Sequence, residues 1–238
     1  FGGFTTGGTI ALTTVGALDI TITGALQSSA IGLAATQPAI SLASGRDIIL
    51  NAVNLSAITS GGVKLTAANA VNLNNLDVCG GACQGNNSIA ATGNVDITAT
   101  AGAITRSVDD GVSLSGANVT LSAGTNIDSI FGNITATSGN VLATAAGTLN
   151  TTNLTVTGAN NVTLSTPGAV STSTVTATNG SVSITSSGAS VGVGAVSAGT
   201  DVLVNAVTGI SGSTMTAGTG GNGLLTLTST GAASDIVL

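Results

Sequence analysis

Apolar residues in this chain are grouped in pairs of the form apolar-x-apolar, which recur about every seven or eight residues. Every third pair belongs to the same series, and the first series repeats with a period of roughly 20–24 residues. Its members are Ile48/Leu50, Val71/Leu73, Val95/Ile97, Val119/Leu121, Val141/Ala143, Val162/Leu164, Val182/Ile184, Val202/Val204 and Leu225/Leu227. The second series is Val112, Ile134, Leu154, Val175, Val196, Met215 and Ile236, and the third is Ile104, Ile127, Leu149, Val170, Val191 and Ile210. Three series predict three strands in every coil of a repeating fold.

A repeat of this length predicts a solenoid. An isolated coil of about 21 residues cannot bury its own apolar face, whereas stacked coils share one continuous core. Within residues 93–98, Val95 and Ile97 alternate with polar residues, so that one face of the strand is apolar. The predicted fold class is therefore an all-β parallel β-solenoid (β-helix) with three short strands and about 20–24 residues per coil.

The whole chain, residues 1–238, is predicted to form one β-solenoid domain. Residues 1–44 have less regular coils, because the pairs Ile10/Leu12, Ile20/Ile22, Ile31/Leu33 and Ile40/Leu42 are unevenly spaced. Residues 77–88 are predicted to be an inserted loop. About ten coils at a spacing of roughly 4.8 Å predict a rod roughly 45–50 Å long.

Groups suited to acid-base catalysis are scarce. The chain has no His and all nine of its acidic residues are Asp, so a nucleophilic Ser or Thr would have no imidazole base. Arg106, Asp109 and Asp110 form a charge cluster whose simplest interpretation is a solvated turn, with a polysaccharide lyase or hydrolase as the alternative. No catalytic, cofactor or metal site is predicted, and the chain is expected not to be an enzyme.

The charge balance also limits the partners. The net charge is -6, and the three cations, Arg46, Lys64 and Arg106, form no basic stripe that could neutralise phosphates. Residues 129–200 have no charge, but Gly, Ser, Thr and Asn interrupt them before about 20 consecutive apolar residues accumulate. We therefore expect neither nucleic acid as a partner nor membrane insertion.

Both cysteines lie in the inserted loop. Cys79 and Cys83 are close in sequence within a Gly-rich segment, where they could reach the Cα separation of a disulfide. A loop-closing disulfide formed in an oxidising compartment is predicted, with a free thiol pair as the alternative. Two thiolates without His or further Cys do not complete a closed zinc site.

A polar residue stands immediately before the first inward residue of many strands. Asn, Asp and Ser suit such corners because their side chains bond to nearby backbone groups. Stacked from coil to coil, they are predicted either to hydrogen-bond along the axis as a ladder or simply to favour the turn. The series is Asp47, Asn94, Asn118, Asn140, Asn161, Ser181 and Asp201.

Hydroxyl residues are predicted to form a ladder on the outer face of the second series. Thr combines β propensity with solubility on an outer face, so a purely structural role is one interpretation. The flat Thr-x-Thr arrangement also resembles the ice-binding faces of some β-solenoid antifreeze proteins, which makes ice binding an alternative function. The predicted ladder is Thr135, Thr155, Thr176, Ser197 and Thr216.

The repeats resemble those of a known family. Residues 45–52, Gly-Arg-Asp-Ile-Ile-Leu-Asn-Ala, and residues 93–100, Gly-Asn-Val-Asp-Ile-Thr-Ala-Thr, are similar to the repeats of filamentous haemagglutinin-type adhesins, the large exoproteins of two-partner secretion. The resemblance covers roughly residues 45–238. It implies a right-handed β-helix that forms the shaft of an extracellular bacterial surface adhesin used in attachment and biofilm structure, with host-cell or matrix glycans as partners.

Self-assembly is the remaining alternative. The sequence finishes with Asp235-Ile236-Val237-Leu238, which is predicted to lie in a strand whose edge groups have no partner within the chain. Copies could therefore pair end to end and form an extracellular fibre. Rods much longer than roughly 50 Å are the expected appearance of such a fibre.

Overall fold

The computed structural model describes residues 2–51, 53–74, 87–105, 112–128, 131–232 and 234–238. These residues form 26 strands, and every pairing between strands is parallel. No segment among them is a helix long and apolar enough to cross a membrane.

The strands are short, and most are three to six residues long. They are β1 (Phe4–Thr6), β2 (Ile10–Thr13), β3 (Ile20–Ile22), β4 (Leu26–Ser28), β5 (Pro38–Ser44), β6 (Ile48–Asn51), β7 (Leu55–Ala57), β8 (Gly62–Ala67), β9 (Val71–Asn74), β10 (Asn87–Ala91), β11 (Val95–Ala99), β12 (Ile104–Thr105), β13 (Val112–Gly116), β14 (Val119–Ala123), β15 (Phe131–Ala136), β16 (Val141–Ala145), β17 (Leu149–Gly158), β18 (Val162–Thr166), β19 (Val170–Ala177), β20 (Val182–Ser186), β21 (Ser190–Ala198), β22 (Val202–Ala206), β23 (Gly209–Ser211), β24 (Thr214–Thr216), β25 (Leu225–Ser229) and β26 (Asp235–Val237).

Three parallel sheets run along the molecule. The first sheet has ten strands in the order β2-β5-β8-β11-β14-β16-β18-β20-β22-β25, so each coil adds one strand beside the strand of the preceding coil. The second sheet has twelve strands and starts β1-β4-β7-β10-β13-β15-β17, and the third has four, β12-β9-β6-β3. The prediction of a parallel β-solenoid with three strands per coil is confirmed, with about nine turns of about 22 residues.

Strand length explains why the third sheet is short. In the later coils β17, β19 and β21 are ten, eight and nine residues long and continue across the corner between the second and third sheets. Isolated bridges link Ile104 to Ile127 and Ile127 to Leu149, and β17 then pairs with β19 through Leu149 and Val170. The third apolar series is therefore continuous along the axis, although four of its six predicted members lie in strands of the second sheet.

The core is a single column of aliphatic side chains inside the coils. Alternate residues of the strands point inward, as in β18, where Val162 and Leu164 are fully buried. Small residues at the end of the first-sheet strands, such as Ala99 and Ala145, keep the corner of the lumen narrow. The strands of each coil thus pack against one another and against the two neighbouring coils, as is typical of a solenoid.

The first two pairs of the first predicted series were wrongly assigned. Ile48 and Val71 pair with each other in the third sheet, and Ile104 follows them there. The neighbour of Val95 in the first sheet is Val63, and Ile40 and Ile10 precede it. Val71 and Val95 are separated by about one coil length only because the inserted segment makes the coil from Val63 to Val95 unusually long.

Three members of the second series also need correction. Leu114, not Val112, pairs with Ile134, and Val156 occupies the position predicted for Leu154. A register irregularity between Thr151 and Thr155 shifts β17 by two residues relative to the prediction. At the other end Ile236 pairs with Ile210, so it continues the third series.

Residues 1–44 follow the same three sheets with longer coils. Ile10 pairs with Ile40, Ile20 with Ile48 and Leu26 with Leu55, and each of these steps is longer than the steps of the coils that follow Val95. Ile31, predicted to be inward, is instead 80% exposed in a loop. The inserted loop predicted for residues 77–88 overlaps β10, which begins at Asn87, and residues 75–86 lie outside the described residues.

Candidate functional site

The corner residues before the first-sheet strands form a hydrogen-bonded ladder. The backbone N–H of Val119 donates to the carbonyl oxygen of Asn140 at 3.0 Å. The backbone N–H of Asn140 then donates to Asn118 Oδ1, the side-chain oxygen one coil earlier, at 2.8 Å. The asparagine side chain therefore supplies an acceptor for a backbone donor at the corner, where strand pairing begins.

The same contact repeats along the axis. The N–H of Asn161 donates to Asn140 Oδ1 at 3.0 Å, and the N–H of Ser181 donates to Asn161 Oδ1 at 2.9 Å. Asn118 Nδ2 also donates to Asn94 Oδ1 at 3.0 Å, which joins the side chains of two coils directly. At Ser181 the ladder is interrupted, since its Oγ lies 2.8 Å from the hydroxyl of Thr200.

Asp201 makes the same type of contact at the next coil, where it accepts the N–H of Leu224 at 2.9 Å. Asp47 lies at a different corner, before the third sheet, and is a wrong member of the predicted series. Its Oδ1 accepts the N–H of Ala70 at 2.8 Å. Asn126, which the predicted series lacks, accepts the N–H of Thr148 at 2.8 Å in the same way. An Asn or Asp acceptor thus serves two corners of the solenoid.

One ion pair joins the first two coils of the third sheet. The Arg46 guanidinium donates from Nε to Asp19 Oδ1 at 2.6 Å and from Nη2 to Asp19 Oδ2. This hydrogen bond holds the pKa of Asp19 below its usual value. Because Arg46 is about half exposed, the pair is screened by solvent and serves mainly to orient the corner.

Replacing Asn161 by Ala removes two contacts of the ladder at once. The N–H of Ser181 loses its acceptor, and Asn161 Nδ2 no longer donates to Asn140 Oδ1 at 3.1 Å. We expect N161A to lower the free energy of unfolding by about 1–2 kcal/mol, since a corner N–H is left without a protein partner. Urea denaturation followed by circular dichroism measures this difference.

Asn205→Ala is the matched control. Asn205 is an outward residue of β22 and has no hydrogen bond from its side chain within the described part of the chain. N205A should change the free energy of unfolding by less than about 0.5 kcal/mol. Equal losses in the two variants would show that the ladder does not stabilise the coil stack.

A second candidate surface is the outer face of the second sheet. Thr155 and Thr157 lie on either side of inward Val156, and their neighbours on the next coil are Thr174 and Thr176. We call these two rows of outward residues the hydroxyl face. One row is Ser113, Asn133, Thr155, Thr174, Ala195 and Thr214, and the other is Ser115, Thr135, Thr157, Thr176, Ser197 and Thr216.

The predicted ladder contains one wrong member. Thr157 stands between Thr135 and Thr176, while Thr155 belongs to the parallel row, because β17 is shifted by two residues. The correction replaces a single ladder by two rows. None of the hydroxyls in these rows hydrogen-bonds to another described residue, so all of them are available to groups outside the chain.

Other candidate residues are not described. Cys79 and Cys83, predicted to form a disulfide, and Arg106, Asp109 and Asp110, the charge cluster, all lie outside the described residues. Among those that are described, no group of three or more His, Cys, Asp or Glu could hold a metal ion.

Two concave parts of the described surface offer little for binding a ligand. A dent beside Lys64 and Asp96 has a volume of about 10 Å³, which is about that of a single water probe. A larger, open concavity of about 420 Å³ is lined by β2 and β3, and its one carboxylate, Asp19, is bound to Arg46. Comparison of the chain with family models, curated proteins and solved structures found no match.

Proposed function

We propose that this chain is a non-enzymatic shaft segment of a large bacterial surface adhesin, located outside the cell. The observation on which the proposal rests is the uninterrupted stacking of the coils. The first sheet adds one parallel strand per coil through ten strands, and the corner ladder reinforces the contacts between coils. Ten strands at a spacing of about 4.8 Å form a rod about 43 Å long with a continuous core.

The repeats at residues 45–52 and 93–100, which resemble those of filamentous haemagglutinin-type exoproteins, favour this function over other roles for a rod. The right-handed winding that the resemblance implies is part of the proposal. Host-cell or matrix glycans are the proposed partners, because the outer faces present hydroxyl and amide groups with little charge. End-to-end association of copies into a fibre is a second arrangement of the same shaft.

Force spectroscopy tests the shaft. The chain is placed between two marker domains of known unfolding length and stretched along its axis. Because each coil contacts only its neighbours, we expect successive steps of about 70 Å, the extended length of about 21 residues. Extension without resolvable force peaks, as for a Gly/Ser linker of equal length, would contradict a load-bearing role.

Enzymatic activity would overturn the non-enzymatic part of the proposal. Incubation with acidic polysaccharides should release neither unsaturated products nor new reducing ends. D109N and D110N are the variants that locate any cleavage that is seen, since a lyase would need these carboxylates as acid or base. Cleavage lost in either variant would establish the polysaccharide lyase or hydrolase instead.

A further inference from the structure

The hydroxyl face has a regularity that a shaft does not require. Its two rows stay in register through six successive strands, β13, β15, β17, β19, β21 and β24. Neighbouring coils set a spacing of about 4.8 Å along each row, and residues i and i+2 set a spacing of about 6.7 Å between the rows. The outward residues therefore form a nearly rectangular lattice of hydroxyl groups.

The chemistry of the face is as uniform as its spacing. Seven of its twelve residues are Thr, three are Ser, and the others are Asn133 and Ala195, so it has no charge. Each Thr offers a methyl group and a hydroxyl, and no hydroxyl of the face has a hydrogen-bond partner among the described residues. A neutral, periodic ligand that donates and accepts hydrogen bonds complements such a surface.

The first sheet offers an internal comparison. One of its two outward rows includes Lys64 and Asp96 on adjacent strands, and Leu142 and Leu203 at 39% and 37% exposure. Charges and large apolar groups interrupt the hydroxyl spacing in that row, whereas the other outward row has a hydroxyl on each strand from β11 to β20, at Thr98, Ser122, Thr144, Ser165 and Thr185. The hydroxyl face differs from the first sheet because both of its outward rows lack charges and large apolar groups.

We propose that the hydroxyl face binds ice. On the prism face of hexagonal ice, the oxygen atoms repeat at two spacings. One is close to the distance between the two rows, and the other is close to the distance between neighbouring strands. The hydroxyls hold water between the rows, and the threonine methyl groups restrict the orientation of that water. The ordered water then continues the ice lattice onto the protein. This activity goes beyond the shaft and would attach a cell that displays it to ice.

The test is ice shaping and thermal hysteresis of the purified chain. We expect the unaltered chain to produce faceted crystals and a measurable hysteresis gap, and T157K and T176K each to lose most of that gap. T163K is the control, because Thr163 is an outward residue of β18 in the first sheet, in the same outward row as Lys64. It should retain the hysteresis of the unaltered chain.

Two further measurements make the outcome decisive. Circular dichroism must show the same β spectrum and melting temperature in all three variants. T176S keeps the hydroxyl but lacks the methyl group, so it replaces T157K or T176K if either of them unfolds, and it should lower the hysteresis. Absence of ice shaping by the unaltered chain, or equal losses in T163K and T176K, would overturn the proposal. Binding of a neutral glycan, or dimerisation, that T176K abolishes while ice shaping is absent would also overturn it and would assign the face to that partner.

Discussion

Replacing Val162 by Asp should divide the solenoid into two parts that unfold separately. Val162 is fully buried and is stacked between Val141 and Val182 on the neighbouring coils. An ionised carboxylate in this aliphatic column would have no partner, and we expect a loss of more than about 4 kcal/mol in the free energy of unfolding. Because stability in a solenoid is a sum over coils and their interfaces, the loss is concentrated at the two interfaces of this coil.

Amide hydrogen exchange with residue resolution measures this pattern. In V162D we expect protection to fall in β16, β18 and β20 and to remain in β11 and β22, which lie beyond the two damaged interfaces. Urea denaturation should change from one transition to two. Uniform loss of protection from β2 to β25 would contradict the separate coil interfaces on which this expectation depends.

Thr163→Asp provides the control at the adjacent residue. Thr163 is partly exposed on the outside of β18, in the row where Asp96 already occupies an outward position. The carboxylate of T163D stays in water, so the free energy of unfolding should change by less than about 1 kcal/mol. The difference in stability between V162D and T163D then reports the effect of placing a carboxylate on the inner rather than the outer side of the strand, since both variants add the same charge.

The fold could be predicted because two periods agree. Alternation in strands such as β11 and β14 identifies the inward side chains, and the longer repeat between successive apolar pairs of one series identifies the coil. Both signals come from burial of aliphatic residues, which dominates the energetics of a solenoid. The number of strands per coil follows from counting apolar pairs within one period.

The assignment of strands to sheets could not be predicted in the same way. All three strands of a coil have a similar apolar-x-apolar pattern, so a slip by one strand leaves the pattern intact. Val71 and Val95 illustrate this. The coil from Val63 to Val95 is long, so Val71, which belongs to another sheet, lies about one ordinary coil length before Val95 and was wrongly matched with it. An insertion therefore changes the sheet assignment of every pair on one side of it.

The two-residue error in β17 has a related cause. A shift by two residues keeps inward residues inward, so that Leu154 and Val156 fit the alternation equally well. Only the backbone irregularity between Thr151 and Thr155 decides between them. The same shift separates one predicted ladder into the two rows of the hydroxyl face, which sequence spacing alone does not reveal.

Replacing Gly168 by Ala should strongly destabilise a corner although it adds only one methyl group. The N–H of Gly168 donates to the carbonyl oxygen of Gly147 at 2.8 Å, which holds the two coil corners close together. A Cβ at Gly168 would overlap that same carbonyl oxygen and its carbon. The contact is with backbone that is fixed by strand pairing, so we expect a loss of about 2–3 kcal/mol in the free energy of unfolding.

Gly192→Ala should have the opposite sign. A Cβ at Gly192, in β21, would meet its nearest atoms, Ser211 Oγ and the Val170 carbonyl oxygen, at 3.5 and 3.9 Å, which are ordinary contact distances. Since glycine within a strand loses more conformational entropy on folding than alanine, G192A should stabilise the chain by about 0.5–1 kcal/mol. Thermal denaturation of both variants compares the two effects. If G168A were more stable than the unaltered chain, the corners at Gly147 and Gly168 would be able to move apart. The close stacking of coils would then not restrict which residues can occupy the corners.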